Sequence, residues 1–339
     1  AHGESHNNIG THSMFEQRAK IVLTRRWPQQ IERRMAQLGE LVVNTTDTPM
    51  RPEALRAALL EADVVCPTVT DFMPRELFSD LQPRAKLLAN FGVGFNHIDI
   101  KAAAAAGIQV TNTPGVLTDA TAELALTLMM MSARRTGMGE RQVRRDQWLG
   151  WSPTHLLGTQ VSGKKLGIIG MGRIGTALAH KARHGLGMQI IYNSPSSLDE
   201  DAARRLSAQA LPLSSLLEQA DFVSLHCPAK AETRHLIDHK AFEKMRPHAH
   251  LINTARGDIV DEVALVQALK QGQIAGAGLD VYAAEPQLTA GLMELEQVVL
   301  LPHMGSATVE TRHAMGLRAM ENVQALLAQR PLLDPVVKL

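Results

Sequence analysis

Short apolar runs alternate with helical patterns along the chain. Residues 21–23, 41–43, 64–65 and 87–89 are apolar without interruption, and the segments 31–38, 52–61 and 74–81 between them repeat apolar positions at helical spacing, with Pro52 in a first turn. Unbroken runs of this length suit strands buried on both faces, and their alternation with helices predicts a parallel sheet covered by helices. The Ala-rich stretch 101–106 continues the series as a helix, and 111–115 reads as a turn crossing to a second unit. Beyond it, residues 118–135 present a broad apolar helical face of Ala122, Leu124, Ala125, Leu128, Met129 and Met131, with Thr118 or Asp119 as the expected cap.

The second unit carries a sharper signal. The apolar run 166–169 breaks into Gly170, Gly172 and Gly175, spaced G-x-G-x-x-G, and a helical pattern follows over 176–183. In that context the first glycine permits a tight turn, the second lets the backbone approach a pyrophosphate and the third lets the helix pack close to the strand. The free N–H groups and positive end of the helix then face the phosphates. Further strands are expected at 188–192, 222–225, 251–253, around 277–279 and at 298–301. Polar residues stand where these runs stop: His226, Arg256, Asp280 with Glu285 soon after, and His303. In a doubly wound sheet the carboxyl ends of the strands line one crevice, so Arg256, Asp280, Glu285 and His303 are expected to converge despite their separation in sequence.

Composition narrows the classes. The chain of 339 residues is long enough for about two domains, and its net charge of +1 advertises no surface for nucleic acid. No apolar run approaches the roughly 20 residues that span a bilayer, and no secretion signal is visible, so a cytoplasmic protein without membrane partners is expected. Cys66 and Cys227, the two cysteines, sit in apolar strand-like runs, which argues against a disulfide framework. Residues 1–13 are polar and aperiodic and read as an expression leader outside the fold. No metal-ligand spacing emerges among the histidines.

Three local patterns bear on ligands. The glycine-rich turn 90–96 has two readings: a cradle in which the N–H groups of Val93 and Gly94 hold a small carboxylate, or a chain reversal and nothing more. Asn193 and Ser194 lie where enzymes using NAD commonly place an Asp or Glu for the ribose 2′-OH. With no carboxylate there to repel a 2′-phosphate, NADP(H) is favoured and NAD(H) stays possible; Arg173 lies nearby in the fingerprint. Trp148 and Trp151, in the polar connecting segment 141–157, have two readings, an arm or subunit contact, which is favoured, or ordinary packing beside the core.

The stretches 90–94, 112–115, 170–175, 226–228, 253–257, 278–286 and 301–303 occur in an order that resembles the D-2-hydroxyacid dehydrogenase family, most of all its glyoxylate/hydroxypyruvate reductase branch. The resemblance implies an α/β protein of two doubly wound parallel-sheet domains. Residues 15–113 with 305–339 would form a flavodoxin-like substrate domain and 114–304 a Rossmann domain, with the active cleft between them. It implies reduction of a small 2-keto acid, glyoxylate or hydroxypyruvate, to the D-2-hydroxy acid. Arg256 would clamp the carboxylate and polarise the carbonyl, His303 would be the general acid, and Glu285 would keep a proton available on the imidazole. Val93 and Gly94 would complete the carboxylate site. The cofactor would lie against Thr121, Gly170, Gly172, Arg173, Ile174, Gly175, Asn193, Ser194, His226, Cys227, Pro228, Thr233, Thr254, Ala255, Asp280 and Gly305. A homodimer is implied, with the helix from residue 118 at its interface and Trp151 reaching the partner's active site. Related dehydrogenases acting on phosphite or on sugar 2-keto acids are the alternatives within the fold. A dinucleotide-sensing binding protein is the alternative outside catalysis, although the intact set Arg256, Glu285 and His303 favours an enzyme.

Overall fold

In the computed structural model, which describes residues 18–337, the chain divides after residues 116 and 308 into two units. The family resemblance implies these divisions after 113 and 304. The expected leader at 1–13 lies outside the described residues.

The first unit runs β1 (Lys20–Leu23), α1 (Gln29–Leu38), β2 (Glu40–Val43), α2 (Pro52–Glu61), β3 (Val64–Cys66), α3 (Arg75–Phe78), β4 (Leu87–Ala89), α4 (Ile100–Ala105) and β5 (Gln109–Thr111). Its five strands are all parallel in the order β2-β1-β3-β4-β5. The apolar runs of β3 and β4 are buried throughout, as a sheet covered on both faces requires. Strand β5 has no counterpart in the sequence pattern, in which residue 111 begins a turn. Gln109-Val110-Thr111 holds one apolar residue, and it is pairing with β4 that makes it a strand.

The second unit, Leu117–Thr308, comprises α5 (Thr118–Arg134), α6 (Thr136–Arg144), β6 (Lys165–Ile169), α7 (Arg173–Leu186), β7 (Gln189–Asn193), α8 (Glu200–Leu206), β8 (Gln209–Ala210), α9 (Leu213–Gln219), β9 (Phe222–Leu225), α10 (His239–Lys244), β10 (His250–Asn253), α11 (Glu262–Lys270), β11 (Gly276–Leu279) and β12 (Val298–Leu300). Seven parallel strands follow the order β12-β11-β10-β9-β6-β7-β8. Side chains alternate between two cores, so that Leu166, Ile168, Phe222 and Ile252 face α5 and α7 while Ile169, Val223, Leu225 and Leu251 join the core with α9, α10 and α11. The doubly wound α/β class read from the sequence is the class observed. The cap expected on α5 is not formed: Thr118 and Asp119 lie inside the helix, the residue before it is Leu117, and Asp119 pairs with Lys181 at 3.0 Å.

The last helix, α12 (Val309–Leu327), belongs to the first unit and places Met320 and Val323 in the core formed by Ile21, Leu23 and Ile31. Asp334, held by Arg318 and Asn322, leads the chain back along β5, where the Val336 N–H bonds to Val110 O at 2.9 Å and covers a sheet edge. No helix among the described residues is long and apolar enough to cross a membrane.

Asp221 fastens the amino end of the second sheet, accepting from the Lys165 N–H (2.8 Å), His248 Nε2 (2.7 Å) and Arg246 (3.3 Å). Burial alone would raise its pKa, but the Lys165 backbone donor, the His248 hydrogen bond and the charge of Arg246 outweigh burial and hold it below the ordinary carboxylate range. A carboxyl whose pKa is lowered by folding contributes stability above its unfolded pKa and loses it as pH falls through the folded value. Asp221→Asn is therefore expected to cost about 2 kcal/mol at neutral pH. Urea titrations across pH should show that cost shrinking below about pH 4.

Candidate active site

Because all seven strands of the second unit run the same way, their carboxyl ends emerge on one edge. The order reverses where β6 lies beside β9, the switch point at which open α/β sheets bind ligands. At that point β6 gives way to Gly170, and β9 to His226 and Cys227. Gly170 has φ +92°, and a Cβ there would lie 2.5 Å from Cys227 N, so both conformation and space demand glycine. Gly175 is equally tight, with Gly170 O at 2.3 Å from a built Cβ. Gly172 differs: nothing lies within 4 Å of its built Cβ. It precedes α7 without a side-chain cap, leaving the first N–H groups of a 14-residue helix facing open space. Arg173 and Ile174 open that helix, with Arg173 exposed.

The loop after β10 is shaped by Asn253, which the sequence pattern shows only as the last residue of a strand. Its side chain accepts from the Ala255 N–H (3.0 Å) and donates to Arg256 O (2.9 Å), folding residues 254–256 into a tight turn. Arg256 Nη1 donates to Ala255 O at 2.6 Å. Burial draws the guanidinium pKa down, against the opposing charges of Glu285 and Asp258. Thr254 Oγ1 is buried without a hydrogen-bond partner.

Beyond β11 and β12 three acid–base groups meet. His303 Nδ1 lies 2.7 Å from Glu285 Oε2, and Glu285 Oε1 accepts from the Tyr282 N–H at 3.0 Å. Burial works against ionisation of Glu285, yet the bond to His303, the Tyr282 donor and the charge of Arg256 hold its carboxyl below the usual range. Asp280 is 1 % exposed; its Oδ1 accepts from the Met304 N–H (2.7 Å), while Oδ2 is buried without a partner. Burial raises its pKa. His303 has φ +53°, a left-handed conformation uncommon for residues other than glycine, fixed between the Asp280–Met304 bond and the Glu285 contact. The second unit thus brings Arg256, Asp280, Glu285 and His303 together on one edge.

Other expected residues have definite places. Thr121 Oγ1 donates to Gly305 O (3.1 Å), and Gly305 packs against Asp280, joining the start of α5 to this cluster. Thr233 closes the turn 228–233 through Pro228 O (2.7 Å). His226 Nε2 lies 2.8 Å from Ser224 Oγ, and burial pushes the imidazole down to about 4, so it is neutral at physiological pH. The Asn193 side chain donates to Leu211 O at 2.9 Å, which orients its amide along the strand end, and Ser194 adjoins it there. Val93 and Gly94 belong to the first unit. Their carbonyls accept from the Asn112 and Asn90 side chains (both 2.9 Å), and no hydrogen bond engages their N–H groups among the described residues. Among the described residues no cluster of three or more His, Cys, Asp or Glu suits a metal ion.

The family model described as "D-isomer specific 2-hydroxyacid dehydrogenase, NAD binding domain" matches residues 126–305. A glyoxylate reductase of Thermococcus litoralis is 42% identical over 310 residues, 90% of this chain and 93% of that protein. The chain belongs to the D-isomer-specific 2-hydroxyacid dehydrogenase family. This dehydrogenase is similar in structure to a glyoxylate reductase from Paecilomyes thermophila (TM-score 0.82, 32% identity, 95% of this chain and 99% of that one). It is also similar to an NADPH-dependent glyoxylate/hydroxypyruvate reductase from Sinorhizobium meliloti, solved with NADP and malonate (TM-score 0.83, 31% identity, 95% and 97% covered). It is therefore an oxidoreductase acting on CH–OH groups with a nicotinamide dinucleotide.

The residues present fit that cofactor. The uncapped helix after Gly172 suits a pyrophosphate, and the orphaned oxygens of Asp280 and Thr254 suit the donors of a carboxamide or ribose. Gly172→Ala separates a ligand role from a turn role, since the added methyl meets no protein atom. The variant should melt at the wild-type temperature yet bind NADPH about tenfold or more weakly by fluorescence titration.

Proposed function

We propose that the enzyme reduces glyoxylate or hydroxypyruvate to the D-2-hydroxy acid, with NADPH preferred over NADH. The observation that carries this reading is the 2.7 Å His303–Glu285 contact on the same sheet edge as half-buried Arg256. A bound nicotinamide dinucleotide supplies the hydride. Arg256 takes the substrate carboxylate in its planar fork and polarises the adjacent carbonyl, an interaction strengthened by burial. Glu285 occupies Nδ1 of His303, so Nε2 is the nitrogen that delivers a proton to the nascent alkoxide; in oxidation it removes that proton. Val93 and Gly94 are assigned to the carboxylate through their unengaged N–H groups.

Gly170, Gly172, Ile174, Gly175, Thr121, His226, Cys227, Pro228, Thr233, Thr254, Ala255, Asp280 and Gly305 are assigned to the cofactor. Neutral His226 leaves the phosphate charge unaltered, and Thr233 and Thr121 hold the loops around it. The preference for NADPH rests on the absence of a carboxylate at 193–197 and on Ser194 and exposed Arg173 as partners for a 2′-phosphate, with Asn193 shaping the strand end.

The unit is further assigned to a cytoplasmic homodimer. Leu149 is fully exposed and Trp151 83 % exposed on the segment after α6, beside Trp148, an apolar surface of the kind that partners cover. Trp151 is proposed to reach the partner's active site.

Steady-state oxidation of NADPH and NADH with glyoxylate and hydroxypyruvate tests the reading. Arg256→Ala should lower kcat/KM by roughly a hundredfold or more; no turnover of either acid by the native enzyme would exclude the assignment. Trp151→Ala should weaken dimerisation on gel filtration or raise the keto-acid KM, and leaving both unchanged would remove Trp151 from the site.

A further inference from the structure

Glu262 is a buried carboxylate that the proposed reaction does not use. It opens α11 and is 5 % exposed, yet it spends neither oxygen on its own helix. Oε1 accepts from the Ala283 N–H at 2.8 Å and Oε2 from the Thr289 hydroxyl at 2.5 Å. A buried carboxylate is costly unless its oxygens are satisfied, and here both donors come from the single loop that carries Glu285. Favourable charge at a helix amino end would not require this, since an exposed side chain provides it equally well.

The peptide that Glu262 grips is the junction of the acid–base cluster. The Tyr282 N–H supplies the second bond to Glu285, and the Tyr282 hydroxyl donates to Leu301 O (2.8 Å), two residues before His303. From the other side Gly257, next to Arg256, abuts the same peptide so closely that a built Cβ would lie 1.9 Å from Tyr282 C and 2.2 Å from Ala283 N. Residues 282–283 are thus wedged between Gly257 and Glu262, and their position sets both the Glu285 carboxylate and the strand end that presents His303. The backbone that carries Arg256 has a support of its own in the Asn253 side chain, which donates to Arg256 O and accepts from the Ala255 N–H.

We propose that Glu262 is a positioning residue for the Glu285–His303 pair, acting through the Tyr282–Ala283 backbone. The inference rests on the acid–base role proposed for that pair. Because Arg256 has its own support, loss of Glu262 separates proton delivery from substrate binding: turnover falls while keto-acid and dinucleotide affinities hold. Glutamine retains an acceptor for Ala283, and the Thr289 hydroxyl can reverse to accept from the amide, so it should substitute well.

The test compares Glu262→Ala, Glu262→Gln, Thr289→Val and His303→Gln with the native enzyme, using NADPH and glyoxylate, with NADPH affinity measured by fluorescence. Glu262→Ala should lose about tenfold or more in kcat with KM and NADPH affinity within about threefold, and Glu262→Gln should stay within about threefold of native kcat. A Glu262→Ala kcat within about twofold of native, a parallel decline of kcat and both affinities, or a Glu262→Gln as impaired as Glu262→Ala would overturn the proposal. Should Glu262→Ala fail to fold, Thr289→Val decides: a lowered kcat at unchanged KM supports the brace, and an unchanged kcat refutes it. Activity retained by His303→Gln would instead refute the acid–base reading, a result separate from any outcome at Glu262.

Discussion

The parallel alignment of the seven strands in the second unit is the constraint from which its chemistry follows. Parallel pairing forces every strand to end on the same edge, so groups more than a hundred residues apart in sequence, such as Gly170 and His303, are delivered to one rim. The reversal of order between β6 and β9 opens the space into which the glycine turn projects. A hydrophobic interior on both faces of the sheet keeps this geometry rigid, and rigidity is what lets short loops hold side chains to within hydrogen-bond tolerance.

Burial at that rim acts on each ionisable group differently. Asp280 is pushed towards its neutral form, Arg256 is drawn down from its ordinary value, and Glu285, more exposed and bonded to His303 and the Tyr282 N–H, is held below the usual carboxylate range. Carboxyl groups on one edge thereby acquire opposite tendencies from their surroundings alone. The left-handed backbone at His303 belongs to the same economy: an unfavourable local conformation persists because Asp280, Glu285 and the preceding strand together determine it.

Periodicity made much of the fold legible. Buried parallel strands are unbroken apolar runs, and β3, β4, β6 and β9 could be placed from such runs with small errors at their ends. Strands β5 and β8 could not, because Gln109-Val110-Thr111 and Gln209-Ala210 carry too little apolar character and become strands only by pairing with β4 and β7. Helix α5 starts at Thr118, where the apolar pattern places it, but its cap differs for a related reason. Thr118 and Asp119 are good caps by residue type, but Leu117 occupies the capping position and Asp119 is drawn to Lys181.

The residues named for chemistry were visible because each stands where an apolar run stops, and the ordered motifs identify the family. The supporting residues were not. Asn253 reads as the last residue of a strand, Glu262 as an ordinary acid in a first helical turn and Tyr282 as one more core aromatic. Likewise, the commitment of the Asn193 amide to Leu211 has no local signature. Sequence by itself determined the class of fold, the glycine turn and the set Arg256, Asp280, Glu285 and His303, since these depend on local periodicity and residue chemistry. Tertiary structure alone decided which oxygen meets which donor, because a hydrogen bond depends on distance and direction between segments that only packing brings together.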